Sequence, residues 1–388
     1  MMNILKNINL FNSEQNKHLE IQYDIVNRGN QSKKRILIFV ENLNATYYLS
    51  FHYVLELLHQ QGEIDFVVLS SKTILNYLNK QGYQLDSFIK DVLEDIKPQT
   101  VIFSRYGLPY GKLIWQNCQE KQINTIYHID DDLLNIPLSL GQKIQKQHGN
   151  QEVIQERAYL LSHVDLIYAS THYLDRTLAK RFPHQKVFSG IYAPYLGSLI
   201  NKSTILKTNI LTIGYMGSKG HINDLKMIAP AISKILNEYP QIKFETFGTI
   251  SIPDELKVFS NRITSHKVKL NYSQFLQKLY ELNWDIGLAP LENTEFNQCK
   301  APTKFIEYTA CDIPTVASNV NVYNRFADKE EVILAEPSQW YEKIKLSIEN
   351  SDFRKTLLQN AKARCEKEFN LEILEKQVYN LLSLNYNE

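Results

Sequence analysis

The sequence predicts an α/β protein made of two doubly wound, Rossmann-like domains facing each other across a cleft. Three observations carry this expectation. Short apolar runs alternate with amphipathic stretches, which is the pattern of βαβ units and a parallel sheet. The alternation breaks off near residues 193–208 and then restarts. The chain's 388 residues are enough for two cores of ordinary size.

Residues 1–33 are polar and rich in Asn and Lys, and are expected to form an N-terminal extension, either a peripheral strand or a loose arm. The first domain, 34–195, opens on "RILIFV" (35–40), an apolar run of buried-strand type. The amphipathic "YYLSFHYVLELLHQQG" follows as a helix, with His52 expected to be a packed or surface residue rather than a ligand. "DFVVLS" (65–70), "TVIFSR" (100–105), "NTIYHI" (124–129) and "VDLIYAS" (164–170) repeat the strand signal, with helical patterns between them. The second domain, 205–368, has strands at "LTIGYM" (211–216), "IKFETF" (242–247), "WDIGLAPL" (284–291), "IPTVAS" (313–318) and "EVILAE" (331–336). Residues 369–388 read as a helix that could cross back onto the first domain. In such a pair of sheets the ligand site lies at the carboxyl ends of the strands, in the cleft.

Composition excludes several classes. The chain is 44% hydrophobic and 22% charged with a formal charge of +1, so nothing global points to nucleic acid and any basic site must be local. The four cysteines, Cys118, Cys299, Cys311 and Cys365, lack metal-binding or disulfide spacing. The first twenty residues lack a sustained apolar core, so no signal peptide is expected, and no window has the roughly 18 apolar residues of a membrane span. The expectation is a cytoplasmic protein, with peripheral contact at the membrane's cytoplasmic face left open.

Two stretches of the second domain carry chemistry. "GYMGSKGHINDL" places Gly214, Gly217 and Gly220 between a strand and a helix, in a chain with only 14 glycines. Glycine lets backbone amides approach a ligand, and a helix N-terminus favours an anion. The order of residues is neither a Walker loop nor a dinucleotide fingerprint. "FNQCKAPTKFIEYTACDIPTVAS" puts Lys300, Lys304 and Glu307 at i, i+4 and i+7 around a helix start. Cations there oppose the helix dipole by about 0.3–1 kcal/mol each. If Lys219, Lys300 and Lys304 converge on one anion, such as a diphosphate, that cost is offset. The bland alternatives are a tight turn and a solvated Lys304–Glu307 pair.

The first domain offers "IYHIDDDLLNIP", with His128, Asp130, Asp131 and Asp132 at a strand end. A carboxylate run there could hold acceptor hydroxyls, act as a base or bind a metal, and it could equally be a solvated turn. Asn42, Asn44 and Thr46 follow the first strand, and Arg105 and Tyr106 the third.

Together, "GYMGSKGHINDL" and "WDIGLAPLENTEFNQCKAPTKFIEYTACDIPTVAS" resemble the second domain of retaining glycosyltransferases of GT-B fold, family 4 and its relatives. The likeness covers roughly 205–340 well and the first domain mainly in order of elements. It implies Gly217, Ser218 and Lys219 for the donor's diphosphate, Lys300 or Lys304 beside them, and Glu307 for ribose. Lys219 and Lys304 are then the electrostatic catalysts. Asp130 and Asp131 work on the acceptor, with Asn42, Asn44, Arg105, Tyr106 and His128 on the acceptor side. The aspartate run itself looks like the "DiDD" stretch of some relatives.

One departure stands out. The family often has a glutamate eight positions before Glu307, and Cys299 occupies that position, so the upstream carboxylate is absent or displaced to Glu295 or Glu292. The implied reaction moves a sugar from a nucleotide-diphosphate donor to a glycan or lipid-linked acceptor, in surface polysaccharide or glycoconjugate synthesis. No metal and no cofactor are expected. The rival expectations are a nucleotide-sugar epimerase or hydrolase of the same fold, and a non-catalytic nucleotide- or glycan-binding assembly protein.

Overall fold

The computed structural model describes residues 21–29, 34–81, 84–203, 210–267 and 272–383. The first sheet contains β1 (Ile25–Asn27), β2 (Lys34–Val40), β3 (Ile64–Ser70), β4 (Thr100–Ser104), β5 (Asn124–Ile129), β6 (Leu166–Ala169) and β7 (Val187–Ser189). Their spatial order is β1-β3-β2-β4-β5-β6-β7, and only β1 runs antiparallel. The second sheet contains β8 (Thr212–Gly217), β9 (Lys243–Gly248), β10 (Ile263–His266), β11 (Ile286–Ala289), β12 (Thr315–Ser318) and β13 (Ile333–Ala335). It is wholly parallel in the order β10-β9-β8-β11-β12-β13, the Rossmann order with its switch point between β8 and β11.

Central strands such as "ILIFV" and "FVVLS" are covered on both faces by helices, which is why they read as unbroken apolar runs. Three short strands gave no such signal. "IVN", "VFS" and "ITSH" lie at sheet edges, where only part of each strand is buried. Of the first 33 residues, the described part supplies β1 at one edge, and residues 1–20 and 30–33 lie outside the described residues.

The C-terminal helix Leu371–Ser383 packs on the first domain, not the second. Leu374, Val378, Leu381 and Leu382 join Val54, Leu55 and Leu58 of the helix Tyr53–Gln60 in one buried cluster. Gln377 Oε1 accepts from the Ile191 amide at 2.8 Å, and Lys34 Nζ donates to the Leu382 carbonyl at 2.7 Å. Where the chain leaves the first domain and where it returns, it is tied together, as the Tyr195 amide donates to the Phe369 carbonyl at 2.6 Å. Among the described residues no helix is long and apolar enough to cross a membrane.

Leu374 is 1% exposed at the centre of this contact. Leu374→Ala is expected to destabilise the protein by about 2–5 kcal/mol in urea denaturation, the usual cost of a cavity of that size.

Candidate active site

The carboxyl ends of both sheets meet at a cleft that holds several cavities, one of which, about 520 Å³, lies between Thr171 and Tyr192 of the first domain and Lys300 and Arg325 of the second. The largest, about 600 Å³, is walled mainly by the second domain: Gly217, Ser218, Gly248, Thr249, Lys304 and Glu307, with Asn44 facing them from the first. Phe247, Phe275 and Tyr272 give it an apolar side, the first two stacked at 4.7 Å between ring centres. Gly248 is required here. It sits at φ +118°, and a Cβ would lie 2.4 Å from the Gly217 carbonyl oxygen. Gly214, by contrast, makes room for Trp284, whose ring a Cβ would meet at 1.8 Å, so that glycine serves packing rather than a ligand.

The helix Thr303–Ala310 begins just after Pro302 and carries Lys304 and Glu307 on its cleft side. Lys304 Nζ has no ion pair or hydrogen bond among the described residues, and it lies 6.0 Å from the centre of the Tyr215 ring. Burial lowers its pKa, against the pull of Asp224. Burial also pushes the Glu307 carboxyl up to about 7, although Tyr272 Oη donates to it at 2.6 Å and Lys304 is near. A cation and a carboxyl with a raised pKa therefore share one wall.

Across the cleft the charges are paired. Arg105, held at φ 55° after β4, chelates Asp130 at 2.6 and 2.8 Å. Thr46 Oγ1 and Tyr192 Oη donate to the same carboxylate at 2.7 and 3.0 Å. Burial would raise the Asp130 pKa, but Arg105 and these donors bring it down to about 2. Asp131 lies between two cations: Oδ2 is 3.5 Å from the Arg105 guanidinium, and Oδ1 accepts from Lys300 Nζ at 2.8 Å, an ion pair that spans the two domains. Asp132 pairs with Arg181 at 2.7 Å. A cavity of about 160 Å³ lies between Asp130, Asp131, Lys300, Lys304, His221 and Tyr323. Another, of about 180 Å³, extends from Lys300 and Glu292 toward Ile136, Leu140 and His148 of the first domain.

Several residues singled out from the sequence do meet: Gly217, Ser218, Lys304, Glu307 and Asn44 line the large cavity, and Asp130, Asp131, Lys300 and Lys304 the one beside it. Others do not. Lys219 is exposed and lines none of these cavities, and its backbone amide is taken by Thr249 Oγ1 at 3.2 Å. His128 is fully buried between Ser104 Oγ and Ser50 Oγ at 3.0 and 3.1 Å, and burial drives its pKa down to about 4. Tyr106 is likewise enclosed, tilted against Phe39 and donating to the Pro109 carbonyl at 2.8 Å. Asn42 is exposed, and Asn44 caps the turn that follows it. Asp130 is committed to Arg105 and holds the first domain's edge together.

Of the two displaced glutamates, Glu292 lines the 180 Å³ cavity and Glu295 is exposed. Cys299 packs into the first domain's core, and its carbonyl accepts from Thr171 Oγ1 at 2.8 Å, a second tie between the domains. Sequence reasoning missed the His221–Asp224 pair, joined at 2.7 Å, and Tyr272, the partner of Glu307. The i, i+3 spacing of His221 and Asp224 was the available signal for the first. Among the described residues no group of three or more His, Cys, Asp or Glu is placed to hold a metal ion.

Two facing Rossmann-like domains, a cleft between their carboxyl edges and a C-terminal helix returning to the first domain define a GT-B fold. Solved structures share it at low identity. The sucrose-phosphate synthase of Thermosynechococcus elongatus superposes with a TM-score of 0.67 at 12% identity, over 90% of this chain and 98% of that one. A UDP-forming trehalose-phosphate synthase from Burkholderia xenovorans gives 0.62 at 11%, over 92% and 100%. HepE of Anabaena, solved with UDP, gives 0.59 at 13%, over 90% and 99%. No protein-family model matches the chain, and no curated protein matches it significantly.

Removing Asp130 would leave Arg105 buried without its main partner. Asp130→Ala is expected to cost about 3–5 kcal/mol of stability, the penalty for breaking a buried pair. Asp131→Asn, at the half-open end of the run, should leave the melting temperature close to that of wild type.

Proposed function

We propose that the protein is a retaining glycosyltransferase, a relative of family 4, that moves a sugar from a nucleotide-diphosphate donor to a hydroxyl of a glycan or lipid-linked acceptor. The observation that carries the reading is Lys304, a half-buried ammonium group with no ion pair among the described residues, on the wall of a 600 Å³ cavity. A cation partly removed from water is stabilised when something anionic completes it. A diphosphate does so, and the N-terminal end of the helix Ile222–Glu238 adds its dipole from the Gly217–Ser218 side. The neighbours described above support the choice of anion, since one was solved with UDP and another is named for forming it.

In this arrangement Glu307 accepts from ribose hydroxyls, and the base lies along Phe247 and Phe275. The diphosphate rests on Lys304 and draws Lys300 from Asp131. The sugar then occupies the 160 Å³ cavity, with Asp131 freed toward it. The acceptor hydroxyl enters from the 180 Å³ cavity. As the bond from the anomeric carbon to the phosphate oxygen breaks, negative charge builds on the diphosphate and the two lysines stabilise it. The acceptor oxygen bonds to the same carbon on the same face, and its proton passes to the departing phosphate oxygen. Contact between the domains excludes water while this happens. The pathway is the synthesis of a surface polysaccharide or glycoconjugate.

A thermal-shift screen with UDP-, GDP- and dTDP-sugars tests the reading, because a bound donor stabilises the fold. Absence of any shift would overturn it. Lys304→Ala is expected to keep or raise the melting temperature while lowering turnover by about 10²–10³-fold, the scale of losing one charge-stabilising group.

The pH dependence follows from Glu307. Its free carboxyl titrates near 7, and ribose hydroxyls bind the ionised form. Below that pH a proton must leave before the donor binds, so affinity should fall by up to about tenfold per unit of further acidification. Glu307→Gln should flatten this slope in calorimetric titrations.

A further inference from the structure

His221 lines three of the cleft cavities, those of about 600, 180 and 160 Å³. Its ring is fixed from one side. Nδ1 lies 2.7 Å from Asp224 Oδ2, and Asp224 Oδ1 accepts the Glu292 amide at 2.9 Å, so the carboxylate cannot turn away. The backbone is fixed as well, by a turn from the His221 amide to the Ser218 carbonyl at 3.0 Å. Asp224 is buried, and although burial would raise its pKa, His221, Lys304 and the Glu292 amide keep it low. An ionised carboxylate on Nδ1 places the ring proton there. Nε2 is left as a lone pair, with no partner among the described residues.

The charged groups facing the ring agree with a neutral imidazole. Lys304 on one side and Lys300 beyond it repel a proton, and with burial they bring the pKa down to about 4 against the pull of Asp224. A neutral ring offering a lone pair is poorly suited to phosphate, which the two lysines attract instead. It is equally unsuited to act as an acid, because it carries no proton on its open side. What it can do is accept a hydrogen bond from a neutral donor, and on a nucleotide-sugar the groups next to the diphosphate are sugar hydroxyls.

We propose that His221, oriented by Asp224, accepts a hydrogen bond through Nε2 from a hydroxyl of the transferred sugar and so selects which sugar the enzyme carries. The inference rests on the nucleotide-sugar reading of the cleft. A site that reads a hydroxyl discriminates against sugars that lack it, because the imidazole is then left unpaired.

The test compares affinities for UDP, GDP and dTDP with those for UDP-glucose, GDP-mannose and dTDP-glucose, in wild type and in two variants. In wild type at least one sugar should add affinity over its own nucleotide. His221→Phe should lose about tenfold of that increment, the scale of one hydrogen bond, with nucleotide affinity changed by no more than about twofold. His221→Gln, which keeps an acceptor oxygen, should recover part of the loss. Full retention of the increment by His221→Phe, or no increment in wild type, overturns the assignment alone. Failure of wild type to bind any of the nucleotides overturns the proposed function beneath it. If His221→Phe does not fold, the ¹⁵N spectrum of histidine-labelled wild type decides. Nε2 unprotonated at neutral pH is the expected result, and a proton on Nε2 overturns the proposal.

Discussion

A guanidinium and a carboxylate taken out of water together must satisfy each other, and the first domain's carboxyl edge is organised around one such pair. Arg105 chelates Asp130, and each partner also holds other segments in place. Thr46 after β2 and Tyr192 on the way out of the domain both donate to Asp130. The Arg105 carbonyl accepts from Arg157, which is 1% exposed and also contacts Glu41 and His148. Three further segments are thus registered by one buried charge pair. Replacing both partners by apolar groups would remove the desolvation cost, but it would also remove the directional contacts that fix these loops.

This fixed edge gives the neighbouring aspartate its position. Asp131 projects from the same turn and meets Lys300 of the second domain, so the cleft is closed by a charge contact rather than by apolar surface alone. The two lysines of the quoted helix start thus have different roles in the unliganded protein. Lys300 is engaged across the cleft and is available only by exchange. Lys304 is half-buried and, among the described residues, without an ion pair. The potential from both explains why His221, in the same pocket, stays neutral.

Much of this was legible in the sequence because burial leaves a pattern. Strands covered on two faces read as apolar runs, and the spacing of Lys304 and Glu307 placed them together on one helix side. What was not legible follows from geometry that the period of the chain does not encode. The short edge strands Ile25–Asn27, Val187–Ser189 and Ile263–His266 are only partly covered and carry no pattern. Three successive aspartates were visible, but not that Asp130 turns to Arg105, Asp131 to Lys300 and Asp132 to Arg181. The glycine loop was visible, while which of its side chains enters the cleft was not: the exposed Lys219 looked the stronger candidate, and His221 two positions later is the one inside. Conversely, His128 and Tyr106 had cleft-edge positions by sequence and were drawn into the core by Ser50, Ser104 and Phe39.

The bond from the Tyr195 amide to the Phe369 carbonyl has a mechanical consequence. The polypeptide passes between the lobes at two places, and this bond fastens them side by side. Two tethers far apart would forbid most relative motion, and a single one would permit tumbling in any direction. Two fastened together concentrate the covalent connection at one edge of the interface, where a hinge axis would have to lie.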